Sequence, residues 1–415
     1  MASIASLALL CSAIIAPTQA VNQTVRIPYE NTYLLPSDFS GNVNQSFVNG
    51  TTTSNFRINS LLQKANGAPF IAYDESFLDV IGDEPQPRLI DNRTTLFAYE
   101  AGVWIPELNQ VWFTSSTYQA STIPGYITVL DLLTNTLHEL NGTSKPIINP
   151  NGAYYFDGKV WIATYPSSAN ETYNGGIISV DPRTLEVETV LNSYFGLPFN
   201  FPDDLVWTTQ VNNRYLFFTD PFYGFLPYPD NFKTPQLPVG VWRWDPQEDL
   251  LLPVISRNEI QPNGVRVSPD MKSLYVTDST ATFVTQTPYN PPVGPAAENW
   301  LGPYIYKYDL NEEMLPVNRR VFGLVREGIA DGIHVDDDGN VWTAESEGIV
   351  VRSPKGRVIG LFNAAYFQGE VAAASRIPIA NFALAGDTLV IFGVSSLWTV
   401  KLNKTAVSAN SVIVN

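Results

Sequence analysis

One unit recurs along this chain often enough to dictate its architecture: an acid or amide, a short apolar strand, a turn, and a returning apolar strand. Its clearest copy is Gln261–Ser279, where Asn263-Gly264 opens Val265–Val267, Ser268-Pro269-Asp270 turns the chain, and Leu274–Thr277 returns as the partner of an antiparallel pair. Further copies open at Glu100, Asn151, Asp203, Asp331 and, with a weaker pattern, Asn381. In chain order the six opening residues stand 51, 52, 60, 68 and 50 positions apart, within the period range of propeller blades. A third strand follows each pair, at Gly125–Val129, Gly176–Val180, Val239–Trp244, Tyr304–Tyr308, Gly348–Val351 and Leu397–Val400, and a fourth comes next, as in Thr184–Val190. With almost no long helical pattern between them, these strands predict an all-β, six-bladed β-propeller.

The ends of the chain complete the plan. Residues 1–20 carry the apolar run Leu7–Ile15 and end in Thr18-Gln19-Ala20, which reads as a secretory signal peptide although its start lacks Lys and Arg. The only cysteine, Cys11, lies within it, so the mature chain is expected to be free of disulfides and to depend on core burial. Seven Asn-x-Ser/Thr sequons, at Asn22, Asn44, Asn49, Asn92, Asn141, Asn170 and Asn403, agree with secretion and mark expected glycosylation sites. Residues 21–69 read as a polar N-terminal arm, 70–404 as the propeller and 405–415 as a tail. Phe70–Tyr73 and Phe77–Ile81 read as strands, and an N-terminal strand is expected to complete the sixth blade, because a closed ring leaves no unpaired edge there. No later stretch is long and apolar enough for a membrane helix. The net charge of −16 argues against nucleic acid and anionic membrane surfaces, both of which select basic footprints. The oligomeric state is not legible.

In a propeller the first strand of each blade lines the central channel, so the six opening residues should gather at one mouth. Three are carboxylates (Glu100, Asp203, Asp331) and three are amides (Asn151, Asn263, Asn381). A single polar residue ahead of a glycine is more simply a turn cap; recurrence with acids in three copies favours a site. Converging carboxylates resist ionisation unless a cation holds them, and a set of oxygen donors suits one divalent cation, Ca²⁺ ahead of Mg²⁺, Mn²⁺ or Zn²⁺. Two long loops, 221–232 and 283–300, should return to the same mouth. Their Phe222, Tyr223, Tyr289 and Trp300, with Asn151 and Asn381, are the expected contacts to an organic, small-molecule substrate.

Several motifs together, Glu100-Ala-Gly-Val-Trp104, Phe218-Thr-Asp-Pro-Phe-Tyr-Gly224, Asn263-Gly264 with Leu274-Tyr-Val-Thr-Asp278, and Asp331-Gly-Ile-His-Val-Asp336, resemble the gluconolactonase and regucalcin family, in particular its secreted fungal lactonohydrolase branch. The resemblance covers roughly residues 95–400. It implies a six-bladed propeller that hydrolyses lactones with one divalent cation, usually Ca²⁺. Carried over by position, the metal ligands fall on Glu100, Asp203, Asn263 and Asp331. The chain departs from the family at Pro202-Asp203-Asp204, where an Asn-Asp pair is expected.

The expected mechanism has the cation polarise the lactone carbonyl and hold water while a ring carboxylate takes the proton, with Asp331 the first candidate base and Asp203 the second. No Gly-x-Ser-x-Gly elbow or His-Glu-x-x-His is present, and the two histidines are expected outside the chemistry: His138 on an outer strand, His334 in the core. Two other readings fit the same pocket: a non-hydrolytic cyclase or cycloaddition catalyst of natural-product biosynthesis, and a binding propeller without turnover.

Overall fold

The fold is described from a computed structural model, over residues 23–42, 44–115, 125–167, 173–210, 213–223, 234–256, 259–280, 303–369 and 378–409. Blades 1 to 4 are consecutive four-stranded antiparallel meanders. Their inner strands are Glu100–Ile105, Pro150–Phe156, Leu205–Gln210 and Pro262–Val267. Blade 5 starts at Ile333–Val335 and blade 6 at Asn381–Ala385. The inner strands neighbour one another in a cycle that closes between blades 6 and 1. The six-bladed propeller read from the repeat is therefore the architecture of the chain.

The core lies between blades rather than within any one of them. Side chains alternate across each strand, so a middle strand buries one set on the preceding blade and the other on the following blade. Each of the six junctions holds its own apolar cluster, for example Trp112, Val129, Ile162 and Val180 between blades 1 and 2, and Trp342, Ile349, Phe382 and Ile391 between blades 5 and 6.

An N-terminal strand does complete blade 6, but it is Pro87–Asn92, paired antiparallel with Ser396–Lys401. Of the two segments read as strands, Phe70–Ala72 extends the outer edge of blade 5, pairing with Val358–Asn363 and, in parallel, with Thr24–Arg26. The other is a correction: Phe77–Ile81 lies in the helix Glu75–Ile81. Asp74 caps it by accepting from Ser76 N–H at 3.1 Å, and Phe77, Val80 and Ile81 bury one helical face. Phe77 covers Gly360, where an added Cβ would lie 2.1 Å from its ring. A short apolar run does not by itself distinguish strand from helix. A second helix that the polar composition concealed, Phe56–Asn66, is capped by Asn55 and buries Leu62 and Ala65 against Ile71 and Leu361 of blade 5.

Asn44, Asn49, Asn92, Asn141 and Asn403 are exposed, whereas Asn22 and Asn170 lie outside the described residues. No helix among the described residues is long and apolar enough to cross a membrane.

Candidate metal centre and active site

The six opening residues do meet at one mouth, and all are buried: Glu100 is 9% exposed and Asn381 2%, with the other four between. Their approach depends on the residue that follows. A Cβ at Gly152 would sit 2.4 Å from Asp203 O, and one at Gly264 would sit 2.6 Å from Asp331 O. The glycine lets each inner strand press against the backbone of the next blade, and Gly152 N–H donates to Asp203 O across that junction at 2.8 Å. These Asn-Gly pairs are therefore inter-blade contacts, with a β-bulge after each, and not simple turns.

Acids and amides alternate strictly around the mouth: Glu100, Asn151, Asp203, Asn263, Asp331, Asn381. Each amide serves the acid of the following blade. Asn151 Nδ2 donates to Asp203 Oδ1 at 2.6 Å, a hydrogen bond from Asn263 holds down the pKa of Asp331, and Asn381 Nδ2 donates to Glu100 Oε2 at 2.9 Å. The amides thus shield the charge of the carboxylates in part. They do not neutralise it. Burial, and then the charges of Asp331 and Asp203, push Glu100 well above the usual carboxylate range. Burial, then Asp331 and Asp204, does the same to Asp203. Burial raises Asp331 to about 7, against the hydrogen bonds from Asn263 and Glu100.

A recurrent threonine on the second strand helps to fix the ring. Thr277 Oγ1 accepts from Gly264 N–H at 2.7 Å and lies 3.2 Å from Asp331 O of the next blade, and Thr219 Oγ1 accepts from Asp204 N–H at 3.0 Å. Thr114, Thr164 and Thr343 occupy the matching strands and are also buried. Sequence reasoning passed over these residues, although Thr114, Thr219 and Thr277 recur at one position of the second strand and were a usable signal.

The Asp203-Asp204 step is resolved by partners. Asp204 faces away from the mouth acids to Arg266, whose Nη1 lies 2.8 Å from Oδ2, and it also accepts from Val265 N–H at 3.0 Å. Asp203 keeps the ring position, and its Oδ2 is buried with no hydrogen-bond partner among the described residues. Beneath the ring, His334 packs on Phe382 with ring centroids 4.7 Å apart, and burial, with Arg266 nearby, holds its pKa well below the usual value. His138 is exposed on the outermost strand of blade 1.

Of the expected substrate contacts, Tyr223 reaches the mouth: burial raises its pKa, as do the charges of Asp203 and Asp331. An aromatic stack supports it, with Phe201 6.1 Å from Tyr223 and Tyr165 stacked 4.4 Å from Phe201. Phe222 is its half-buried neighbour, while Tyr289 and Trp300 lie outside the described residues.

As they stand, no three His, Cys, Asp or Glu side chains among the described residues are grouped closely enough to hold a metal ion. The donor chemistry nevertheless suits a hard cation. Glu100, Asp203, Asn263 and Asp331 offer only oxygen ligands, the three acids have no basic partner among the described residues, and Asp203 Oδ2 is an orphaned acceptor.

Comparison with known proteins agrees with this picture. Residues 228–366 match the model of the SMP-30/Gluconolactonase/LRE-like region. The chain is 29% identical to the lactonohydrolase oryL of Aspergillus oryzae over 296 residues, 70% of this chain and 63% of that protein. It is 29% identical to a gluconolactonase of Zymomonas mobilis over 215 residues, 50% of this chain and 52% of that one. The matches thus span somewhat over half the length of these two relatives. A solved gluconolactonase from Xanthomonas campestris superimposes with a TM-score of 0.60 at 20% identity, over 80% of this chain and 94% of that one, which speaks to the fold.

Proposed function

We propose that this chain, which carries a domain of the SMP-30/gluconolactonase/LRE-like family, is a secreted hydrolase that opens lactone rings with the help of one divalent cation, Ca²⁺ in the first instance. The observation that carries this reading is the buried ring of alternating acids and amides, whose three carboxylates have no Lys or Arg partner among the described residues. Evolutionary kinship to proteins named lactonohydrolase and gluconolactonase supplies the substrate class.

Glu100, Asp203, Asn263 and Asp331 would hold the cation, which when bound supplies a Lewis acid for the lactone carbonyl and lowers the pKa of water. The remaining chemistry falls to side chains. Asp331 is the first candidate to take a proton from the attacking water and return it to the leaving alkoxide. Asp203, with one free oxygen, is the alternative acceptor. Water adds to the carbonyl, the ring C–O bond breaks, and a hydroxy acid leaves. Asn151 and Asn381 hold the neighbouring acids in place. Phe222 and Tyr223, together with Tyr289 and Trp300, would contact the organic part of the substrate.

A pH-stat screen of lactones with purified protein tests the proposal. Acid release that stops with chelator and returns with Ca²⁺ is expected. Release indifferent to chelator would remove the cation from the mechanism, and a panel without turnover would turn attention to ring-forming chemistry in the same pocket.

A further inference from the structure

Asn263 donates outside the ring as well as serving its acid. Its Nδ2 lies 3.3 Å from Ser279 Oγ. Ser279, buried at the end of the second strand of the same blade, is in turn 3.0 Å from the hydroxyl of Tyr223, which belongs to the preceding blade and also lies 2.9 Å from Pro262 O. A hydroxyl has one proton, and a carbonyl can only accept. All three groups are satisfied when Tyr223 donates to Pro262 O, Ser279 donates to Tyr223, and Asn263 donates to Ser279. That order turns the amide nitrogen of Asn263 toward Ser279, and so sets the direction of its carbonyl oxygen. The contrast with Asn381 is direct: its nitrogen points to Glu100 and its oxygen accepts from Phe382 N–H at 2.9 Å.

We infer that Tyr223 and Ser279 are positioning residues that orient Asn263 so that its carbonyl oxygen, rather than that of Asn381, is offered to a cation at the mouth. Tyr223 then acts through its hydroxyl on the ring, and its hydroxyl is not a donor to substrate. The inference rests on the reading of the mouth as a cation site, and adds to it a pair of residues that touch neither cation nor reacting atoms. Outer partners of this type fix a ligand in its binding rotamer, and their loss commonly weakens metal affinity by about tenfold to a hundredfold.

Tyr223→Phe and Ser279→Ala each remove a single oxygen. Calorimetric titration of the chelator-stripped protein with Ca²⁺ should show each variant binding roughly tenfold or more weakly. The two act in series, so the double variant should be no weaker than the worse single one. At saturating Ca²⁺, kcat of Ser279→Ala should return to within about threefold of wild type, since the ligand oxygen itself is intact. Thermal unfolding in chelator, close to wild type for both, shows that the fold is retained; if Ser279→Ala does not fold, Tyr223→Phe carries the comparison alone. Wild-type affinity in Tyr223→Phe, or losses that multiply in the double variant, would overturn the inference and leave the cation site standing. Absence of any Ca²⁺ binding by the wild type would overturn both.

Discussion

Asn381 of the last blade donates to Glu100 of the first across 2.9 Å, a side-chain bond between residues 281 positions apart that closes the polar ring. Both are buried, so the bond is screened little by solvent. Asn381→Asp replaces the donor with a second carboxyl against one already pushed up by burial and by Asp331 and Asp203. The variant should unfold at a lower temperature than wild type in chelator at pH 8, by about 1–3 kcal/mol of stability, and the deficit should narrow near pH 5, where the two carboxyls can share a proton. A deficit that does not change with pH would show that the amide acts by packing alone.

The ring acids also set the pH dependence of the cation-free protein. Their folded pKa values are raised, Asp331 to about 7, so between the unfolded value of 3.8 and about 7 the folded state binds more protons than the unfolded chain. Stability from this source is complete below the unfolded value and is lost as pH rises through the folded one. Asp220, raised to about 7 by burial, acts in the same direction. Melting temperature in chelator should therefore fall as pH rises from about 5 to 8, and saturating Ca²⁺ should remove most of that slope by binding the ionised acids. Parallel slopes with and without Ca²⁺ would place the titration elsewhere.

The features visible in the sequence were those written as repeats. The opening residues could be aligned because each blade begins its inner strand with an acid or amide at the channel, and topology then placed them together. Two features resisted. The closing strand Pro87–Asn92 alternates weakly because one face of an outermost strand meets solvent, while Phe77–Ile81 is apolar enough to resemble a strand. The hydrogen bonds from Asn151 to Asp203 and from Asn263 to Ser279 depend on side-chain direction, which residue type alone does not specify. The partner of Asp204 was hidden for the same reason, since only the position of Arg266 shows what its carboxylate meets.

Arg266 and Asp204 offer a test of that separation. The pair is buried, with Arg266 Nη1 also donating to Leu205 O at 3.0 Å and its guanidinium 5.5 Å from the ring of Tyr154. Arg266→Met strands a buried carboxylate and should cost about 3–5 kcal/mol, read by denaturant unfolding. Adding Asp204→Asn should recover a large part of it. Asp204→Asn alone should keep turnover within about tenfold, since loss of a general base costs about two decades or more. Loss of turnover on that scale in a folded Asp204→Asn protein would make Asp204 the base.

Asp331 and Glu100 separate proton transfer from charge at the ring. Asp331→Asn preserves size and one oxygen donor but removes the group that could accept a proton. Glu100→Gln also preserves size, and changes mainly the charge offered to the cation. If Asp331 is the base, Asp331→Asn should bind Ca²⁺ and lose about two to four decades of kcat that added Ca²⁺ does not restore. Glu100→Gln should bind Ca²⁺ more weakly and regain most of its rate at saturating Ca²⁺. The pH–rate profile supplies an independent reading: the wild-type limb that reports the base should vanish in Asp331→Asn and persist in Glu100→Gln. Equal rescue of both variants by Ca²⁺ would make Asp331 a ligand only, and the proton would then pass to Asp203, whose Oδ2 has no other partner among the described residues.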